Sequence, residues 1–244
     1  MKLTLIGIGC GNPQHLTLEA IAAMNGADLI LLPDKGTEKA ALAHLREDIL
    51  ARHLTNPSVE IRRIAMPARR KDNGYRAGVN DWHDEIARLW AGAIAQAGAP
   101  AHVALLVWGD PALYDSSLRI AARLSPAPEI RVIPGVTSLS MLTAAHRVPL
   151  NDLGESVAIL PARVLRERGW PEGAATLAVF LDDGSTLAGL HDDCRIWWGA
   201  YLGMEEQALM AGRLGDIRGD LAATRAALRQ RHGWIMDLYL LRRG

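Results

Sequence analysis

The apolar positions of the chain form short unbroken runs, and these alternate with stretches in which apolar residues recur every three or four positions. Runs apolar at every position suit strands buried on both faces, and the longer period suits the helices that cover them. The first run, Lys2–Ile8, ends in glycines, and Thr17–Met24 then carries helical spacing with Thr17 placed as N-cap. A second strand is predicted at Asp28–Leu32, then a turn at Pro33–Gly36 and a helix from about Thr37 to His53, with Leu42, Leu45 and Ile49 on one face. Val59–Ile64 reads as a third strand. Ile86, Leu89, Trp90, Ala93 and Ile94 mark a helix that Gly98-Ala-Pro100 stops before the apolar run His102–Trp108. Leu113–Leu124 adds a helix and Ile130–Ile133 a strand. Beyond Pro134-Gly135 the pattern restarts with a helix at about Ser138–His146. Strands follow at Ser156–Leu160, Thr176–Leu181, Arg195–Tyr201 and Ala208–Leu214, then a helix at Asp220–Arg231 and a strand at Trp234–Leu241.

The alternation predicts an α/β fold with mostly parallel sheet, divided near Pro134 into an N-terminal α/β domain (1–134) and a C-terminal α/β domain (135–244). Ligands of such folds sit at strand carboxyl ends, so the active site is expected in the cleft between the two domains. The stretch Ala68–Asn80 shows neither period, is polar and basic, and reads as a loop that serves either as a lid or as a solvated insertion.

Composition narrows the function. With 49% hydrophobic and 22% charged residues the chain reads as globular, and no run nears the ~20 apolar residues of a membrane span. No membrane partner and a cytoplasmic location are expected. Lys+Arg and Asp+Glu are 27 each, so no net field gathers nucleic acid, and nucleic acid is not an expected partner. The only cysteines, Cys10 and Cys194, have no metal-ligand spacing, and no metal site is expected.

Three junctions of strand, turn and helix carry candidate chemistry. In Gly7-Ile-Gly9-Cys-Gly11-Asn-Pro the glycines let backbone approach a ligand, but the third glycine of the dinucleotide fingerprint is missing, and a tight structural turn explains them equally well. Trp108-Gly-Asp-Pro-Ala-Leu-Tyr114 sets Gly109 and Asp110 at a strand's carboxyl end, with Asp110 as an acceptor for an ammonium or hydroxyl. Ile133-Pro-Gly-Val-Thr137-Ser138 offers hydroxyls at a helix start.

Together, in this order, and with Ala27-Asp28 and Arg147-Val-Pro-Leu150, these motifs resemble the tetrapyrrole methylases over essentially the whole chain. The resemblance implies two α/β domains with the active site in the cleft between them, S-adenosylmethionine as methyl donor with S-adenosylhomocysteine as product, a tetrapyrrole substrate and a homodimer. By motif it implies methionine-side contacts at Trp108, Gly109, Asp110, Leu113, Thr137, Ser138 and Leu181, and adenosine-side contacts at Tyr201, Leu202, Gly212, Arg213 and Leu214. The glycine loop, Gly9 and Gly11, is implied to face the macrocycle. Leu-Pro-Asp34-Lys35-Gly36, Tyr75-Arg-Ala with Asp81-Trp-His83, and Gly233-Trp-Ile-Met-Asp-Leu-Tyr239 resemble the family's deacetylating precorrin methylases. Such enzymes methylate C1 of precorrin-5 and release its acetyl group as acetate, using one water.

That reaction needs a general base for the water and a donor to the carbonyl oxygen. Asp34 is the first acid/base candidate, with Tyr114 and His83 as alternates; His83 also reads as a surface residue beginning a helix. The substrate's carboxylates call for arginines, and Arg69, Arg70, Arg76 and Arg147 are the candidates. Two other readings stay open: another precorrin or uroporphyrinogen methylase, and a non-catalytic S-adenosylmethionine-binding protein of this fold.

Overall fold

Strand β1 (Lys2–Gly7) pairs in parallel with β4 (His102–Val107) on one side and with β5 (Glu129–Ile133) on the other. A computed structural model describes residues 1–34, 40–68 and 75–243. The chain divides into two compact units, Met1–Thr137 and Ser138–Gly244. The first holds a five-stranded parallel sheet in the order β3-β2-β4-β1-β5, where β2 is Leu29–Asp34 and β3 is Glu60–Ala65. Its unbroken apolar runs are explained by two cores. Leu3, Leu5, Leu29, Leu31, Val103 and Leu105 face one, roofed by α3 (Tyr75–Gln96) and α4 (Ser117–Ala121). The intervening Ile6, Ile8, Ile30, Leu32 and Leu106 face the other, roofed by α1 (Leu18–Asn25) and α2 (Ala40–His53). Thr17 caps α1 by accepting from the Ala20 amide at 3.0 Å.

Three readings of the sequence need correction here. Pro33 and Asp34 continue β2 rather than turning, because β2 pairs with β4 only through Leu31 and the missing proline N–H falls beyond that ladder. The stretch 68–80 is not all loop, since Tyr75–Asn80 forms the start of α3. The buried face of that helix runs through Gly78 and His83, neither of them apolar, so hydrophobic periodicity starts too late. The supposed helix Leu113–Leu124 shrinks to α4, because Tyr114 adopts a left-handed φ of 51° and Asp115 Oδ1 accepts from Ser117 N at 2.6 Å to begin the helix there.

The second unit contains α5 (Ser138–His146), α6 (Ala162–Arg168), α7 (Leu214–His232) and a sheet in the order β6-β7-β10-β8-β9. Its strands are β6 (Val157–Pro161), β7 (Thr176–Phe180), β8 (Arg195–Ala200), β9 (Ala208–Arg213) and β10 (Asp237–Arg242). Only β6 and β7 run parallel; β10 lies antiparallel between β7 and β8, and β8–β9 is an antiparallel pair. The sheet of this unit is therefore mixed, a correction to the mostly parallel expectation. Insertion of the last strand between β7 and β8 leaves no trace in periodicity.

Among the described residues no helix is long and apolar enough to cross a membrane, and no cluster of His, Cys, Asp or Glu could hold a metal ion.

Candidate active site

In the first unit the three motifs meet where β4, β1 and β5 end side by side. Gly9 and Gly109 exchange backbone hydrogen bonds, Gly9 N to Gly109 O at 3.1 Å and Gly109 N to Gly9 O at 2.9 Å, with φ of 74° and 69°. A Cβ on Gly135 would stand 2.2 Å from Gly109 O and 2.8 Å from Gly7 C, so backbone fills the space a side chain would need. Gly11 lies just before a 3-10 turn, Pro13–His15, whose Gln14 amide donates to Asn12 Oδ1 at 2.9 Å. Cys10 is buried and its thiol donates to Val136 O at 3.5 Å, a link between the first and third motifs.

Asp110 fastens the second motif to the third. Its Oδ1 accepts from Ala112 N at 2.7 Å and its Oδ2 from Gly135 N at 2.9 Å. The acceptor foreseen for a ligand is thus occupied first in fixing the backbone that a ligand would meet. Asp110→Ala is expected to lose ~1–3 kcal/mol of stability and to weaken S-adenosylhomocysteine as well, read by urea unfolding and calorimetry. Full stability in the variant would contradict this tie. Trp108 and Leu113 are half-buried on either side, and Thr137 and Ser138 are half-buried at the start of α5.

Of the acid/base candidates, Asp34 is exposed at the end of β2, with its carbonyl accepting from Met66 N at 2.7 Å. Tyr114 is 40% exposed at the rim of the second motif, and burial of part of its ring raises the phenol pKa, so the hydroxyl keeps its proton at neutral pH. The reading of His83 as a surface residue is corrected: it is 2% exposed inside α3, and neither ring nitrogen has a hydrogen-bond partner. Burial, then Arg123 and Arg119, lower its pKa and keep it neutral. Arg147 is exposed with a left-handed φ of 56° directly after α5. Arg69 and Arg70 lie outside the described residues, as does the Arg76 side chain, although its backbone is in α3.

Sequence reasoning missed Arg46, buried on α2 and donating from Nε to Leu106 O at 3.2 Å, just past the last β2–β4 pair. Burial lowers its pKa to about 10, with Asp115 opposing, so it stays charged at neutral pH. The signal was available: Arg46 occupies the core period with Leu45 and Ile49.

In the second unit Leu181 and Tyr201 follow the ends of β7 and β8, with left-handed φ of 57° and 50°. Non-glycine residues there cost about 1–2 kcal/mol each, and such strain gathers at functional sites. Leu181 is 65% exposed. Tyr201 is buried, its hydroxyl donates to Trp234 O, and Leu202 is buried too, so these two positions offer a ligand backbone rather than side chains. Gly212, Arg213 and Leu214 stand apart from these two turns. Arg213 pairs with Arg195 at the start of β8, whereas Tyr201 follows directly after its end at Ala200, which lies roughly 17 Å along the strand at about 3.4 Å per residue. Leu214 is fully buried and Arg213 is bound to Asp193, so this segment does not join the Leu181 and Tyr201 turns.

Burial also raises the pKa of Tyr201 and, with Asp182, that of Tyr239. The folded state then holds protons that the unfolded chain releases above the ordinary phenol value of 10.0. Stability is therefore complete below that pH and is lost as pH rises above it, by up to about 1.4 kcal/mol per pH unit for each tyrosine. Urea midpoints at about pH 9 and about pH 11 test this; equal midpoints would refute it.

The family model of tetrapyrrole (corrin/porphyrin) methylases matches residues 2–218. A precorrin-6A synthase [deacetylating] of Sinorhizobium sp is 42% identical over 250 residues, covering 100% of this chain and 95% of the relative. The crystal structure of a cobalamin synthesis related protein, CobF, from Corynebacterium diphtheriae superposes with a TM-score of 0.85 at 35% identity, covering 100% of this chain and 99% of that one. A uroporphyrin-III C-methyl transferase of Thermus thermophilus, complexed with S-adenyl homocysteine, shares the fold at a TM-score of 0.59 and 20% identity, over 99% and 92% of the two chains. With this model matched over most of its length and a full-length relative at such identity, the chain belongs to the tetrapyrrole (corrin/porphyrin) methylase family.

Proposed function

We propose that this chain acts as a deacetylating precorrin-6A synthase, methylating C1 of precorrin-5 and releasing its acetyl group as acetate. Family membership makes it an S-adenosylmethionine-dependent methyltransferase. The observation that carries the particular reaction is 42% identity, sustained over the whole chain, to a relative of that name.

When bound, S-adenosylmethionine supplies a methyl group on a cationic sulfur. The protein's part is to hold donor and acceptor in line, and rigid backbone does this best. The turns at Gly109 and Thr137, tied by Asp110, and the strained turns at Leu181 and Tyr201 are assigned to the donor. Gly9, Gly11 and Arg147 are assigned to the macrocycle. Asp34 takes a proton from the water that attacks the acetyl carbonyl, and the Tyr114 hydroxyl donates to the oxygen on which charge develops. The new C–O bond makes acetate as the C–C bond to C1 breaks. Its electron pair stays on C1, which then takes the methyl group.

Purified protein given precorrin-5 and S-adenosylmethionine should form acetate and S-adenosylhomocysteine one for one. S-adenosylhomocysteine without acetate would favour another precorrin methylase; binding without either product would favour a non-catalytic protein. A homodimer in the cytoplasm completes the proposal, and light scattering tests the assembly.

A further inference from the structure

The second unit holds a buried polar network that the proposed chemistry leaves unused. Asp182, directly after Leu181, has a carboxylate 2% exposed. Its Oδ2 accepts from Tyr239 OH at 2.8 Å, and its Oδ1 from Thr186 Oγ1 at 2.8 Å and Gly184 N at 3.0 Å. Arg225, on the inner face of α7, donates to the carbonyls of Asp182 at 2.7 Å and Asp183 at 3.1 Å. Its Nε donates to Asp237 Oδ2 at 2.8 Å, and the same oxygen accepts from Trp198 Nε1 at 2.8 Å. The Arg225 and Asp237 side chains are 10% and 5% exposed.

The register shows why this matters. β10 runs antiparallel to both neighbours, so its first residue, Asp237, lies opposite Ala200 at the end of β8 and beside the end of β7. Arg225 therefore grips the chain leaving Leu181 with one edge of its guanidinium and the strand between the two turns with the other. On the β8 side the Tyr201 amide donates to Met236 O at 3.0 Å, next to Asp237. Gly184, with φ of 100°, lets the arginine in, since a Cβ there would stand 2.5 Å from its Nη1.

We infer that Arg225 is a positioning residue for the methyl donor: through Asp237 and the Asp182–Asp183 carbonyls it fixes the spacing and strain of the Leu181 and Tyr201 turns. The inference rests on the assignment of those turns to the donor. A buried charged network is a weak source of net stability, whereas removing one member leaves its partners uncompensated, so geometry is the better account of its presence. Lysine keeps the charge but lacks the planar fork that reaches both carbonyls and a carboxylate.

Calorimetric titration of S-adenosylhomocysteine tests this with three variants. Arg225→Lys should weaken binding roughly ten- to hundredfold, and Tyr239→Phe, which removes one donor to Asp182 at little change in shape, several-fold in the same direction. Leu221→Ala, a cavity on the buried face of α7, should lower the melting temperature yet bind as wild type does. If Arg225→Lys does not fold, Tyr239→Phe decides alone. Wild-type affinity in the network variants, or equal weakening in Leu221→Ala, overturns the positioning role and leaves the donor site standing. Wild-type protein that fails to bind S-adenosylhomocysteine overturns the donor assignment and the inference with it.

Discussion

Gly135→Ala is expected to lose about 3 kcal/mol or more of stability and with it the binding of S-adenosylhomocysteine. The added Cβ would lie 2.2 Å from Gly109 O, 2.8 Å from Gly7 C and 2.9 Å from Gly7 Cα. All three are backbone atoms at the ends of β4 and β1, fixed by the parallel pairing of β1 with β4 and β5. No rotamer change relieves such an overlap, so the turns must part. The Asp110–Gly135 bond of 2.9 Å then stretches or breaks, and the aligned backbone goes with it. Gly92→Ala is the matched control: Gly92 is exposed on α3 with nothing within 4 Å of an added Cβ, and alanine there should stabilise the helix by about 0.5–1 kcal/mol. Urea unfolding and calorimetry on both variants read the result. A Gly135→Ala protein of wild-type stability and affinity would mean that the packed glycines are incidental.

Asp34→Asn is expected to slow acetate formation by about 10²–10⁴, the usual contribution of a positioned general base. Asp34 is exposed at the end of β2, so the substitution removes a base without removing core contacts. Tyr114→Phe should slow the same step by about 10²–10³, the effect of deleting one donor to a developing oxyanion. Its raised pKa keeps the phenol protonated to beyond the ordinary value of 10.0, so its contribution should persist on the alkaline side. Neither variant should alter S-adenosylhomocysteine affinity, because both act on the acetyl group. Single-turnover assays of acetate, beside calorimetry, separate the steps. Wild-type acetate rates in both variants would remove Asp34 and Tyr114 from the chemistry.

What could be read from the sequence follows from which physical signals are local. The β1 run, the Thr17 cap and the three glycine junctions are local, and each stands where the pattern put it. Long-range pairing is not local. The entry of β10 between β7 and β8, and the opposite run of β9, are set by tertiary contacts, so the distance from Gly212–Leu214 to Tyr201 could not be seen in the motif. Helix α6 was missed because seven residues give too short a window for a period. The two buried arginines show a subtler limit. Arg46 lies at a core position between Leu45 and Ile49, and Arg225 follows Leu221 by one helical turn, so the period itself marked them as inward-facing. A count of apolar residues passes over such positions, although a buried charge needs specific partners and therefore signals a built site. The side-chain direction of Tyr201 and Leu202 was hidden for the opposite reason: a motif match identifies a segment but not which of its atoms meets the ligand.

One active site is expected both to remove the acetyl group and to methylate the same carbon. Wild-type protein, precorrin-5 and S-adenosylmethionine carrying an isotopically labelled methyl group, followed by mass analysis of the macrocycle, test it most directly. The product should carry one labelled methyl and lack the acetyl group. A labelled product that keeps the acetyl group, or an unlabelled macrocycle despite bound donor, would contradict it.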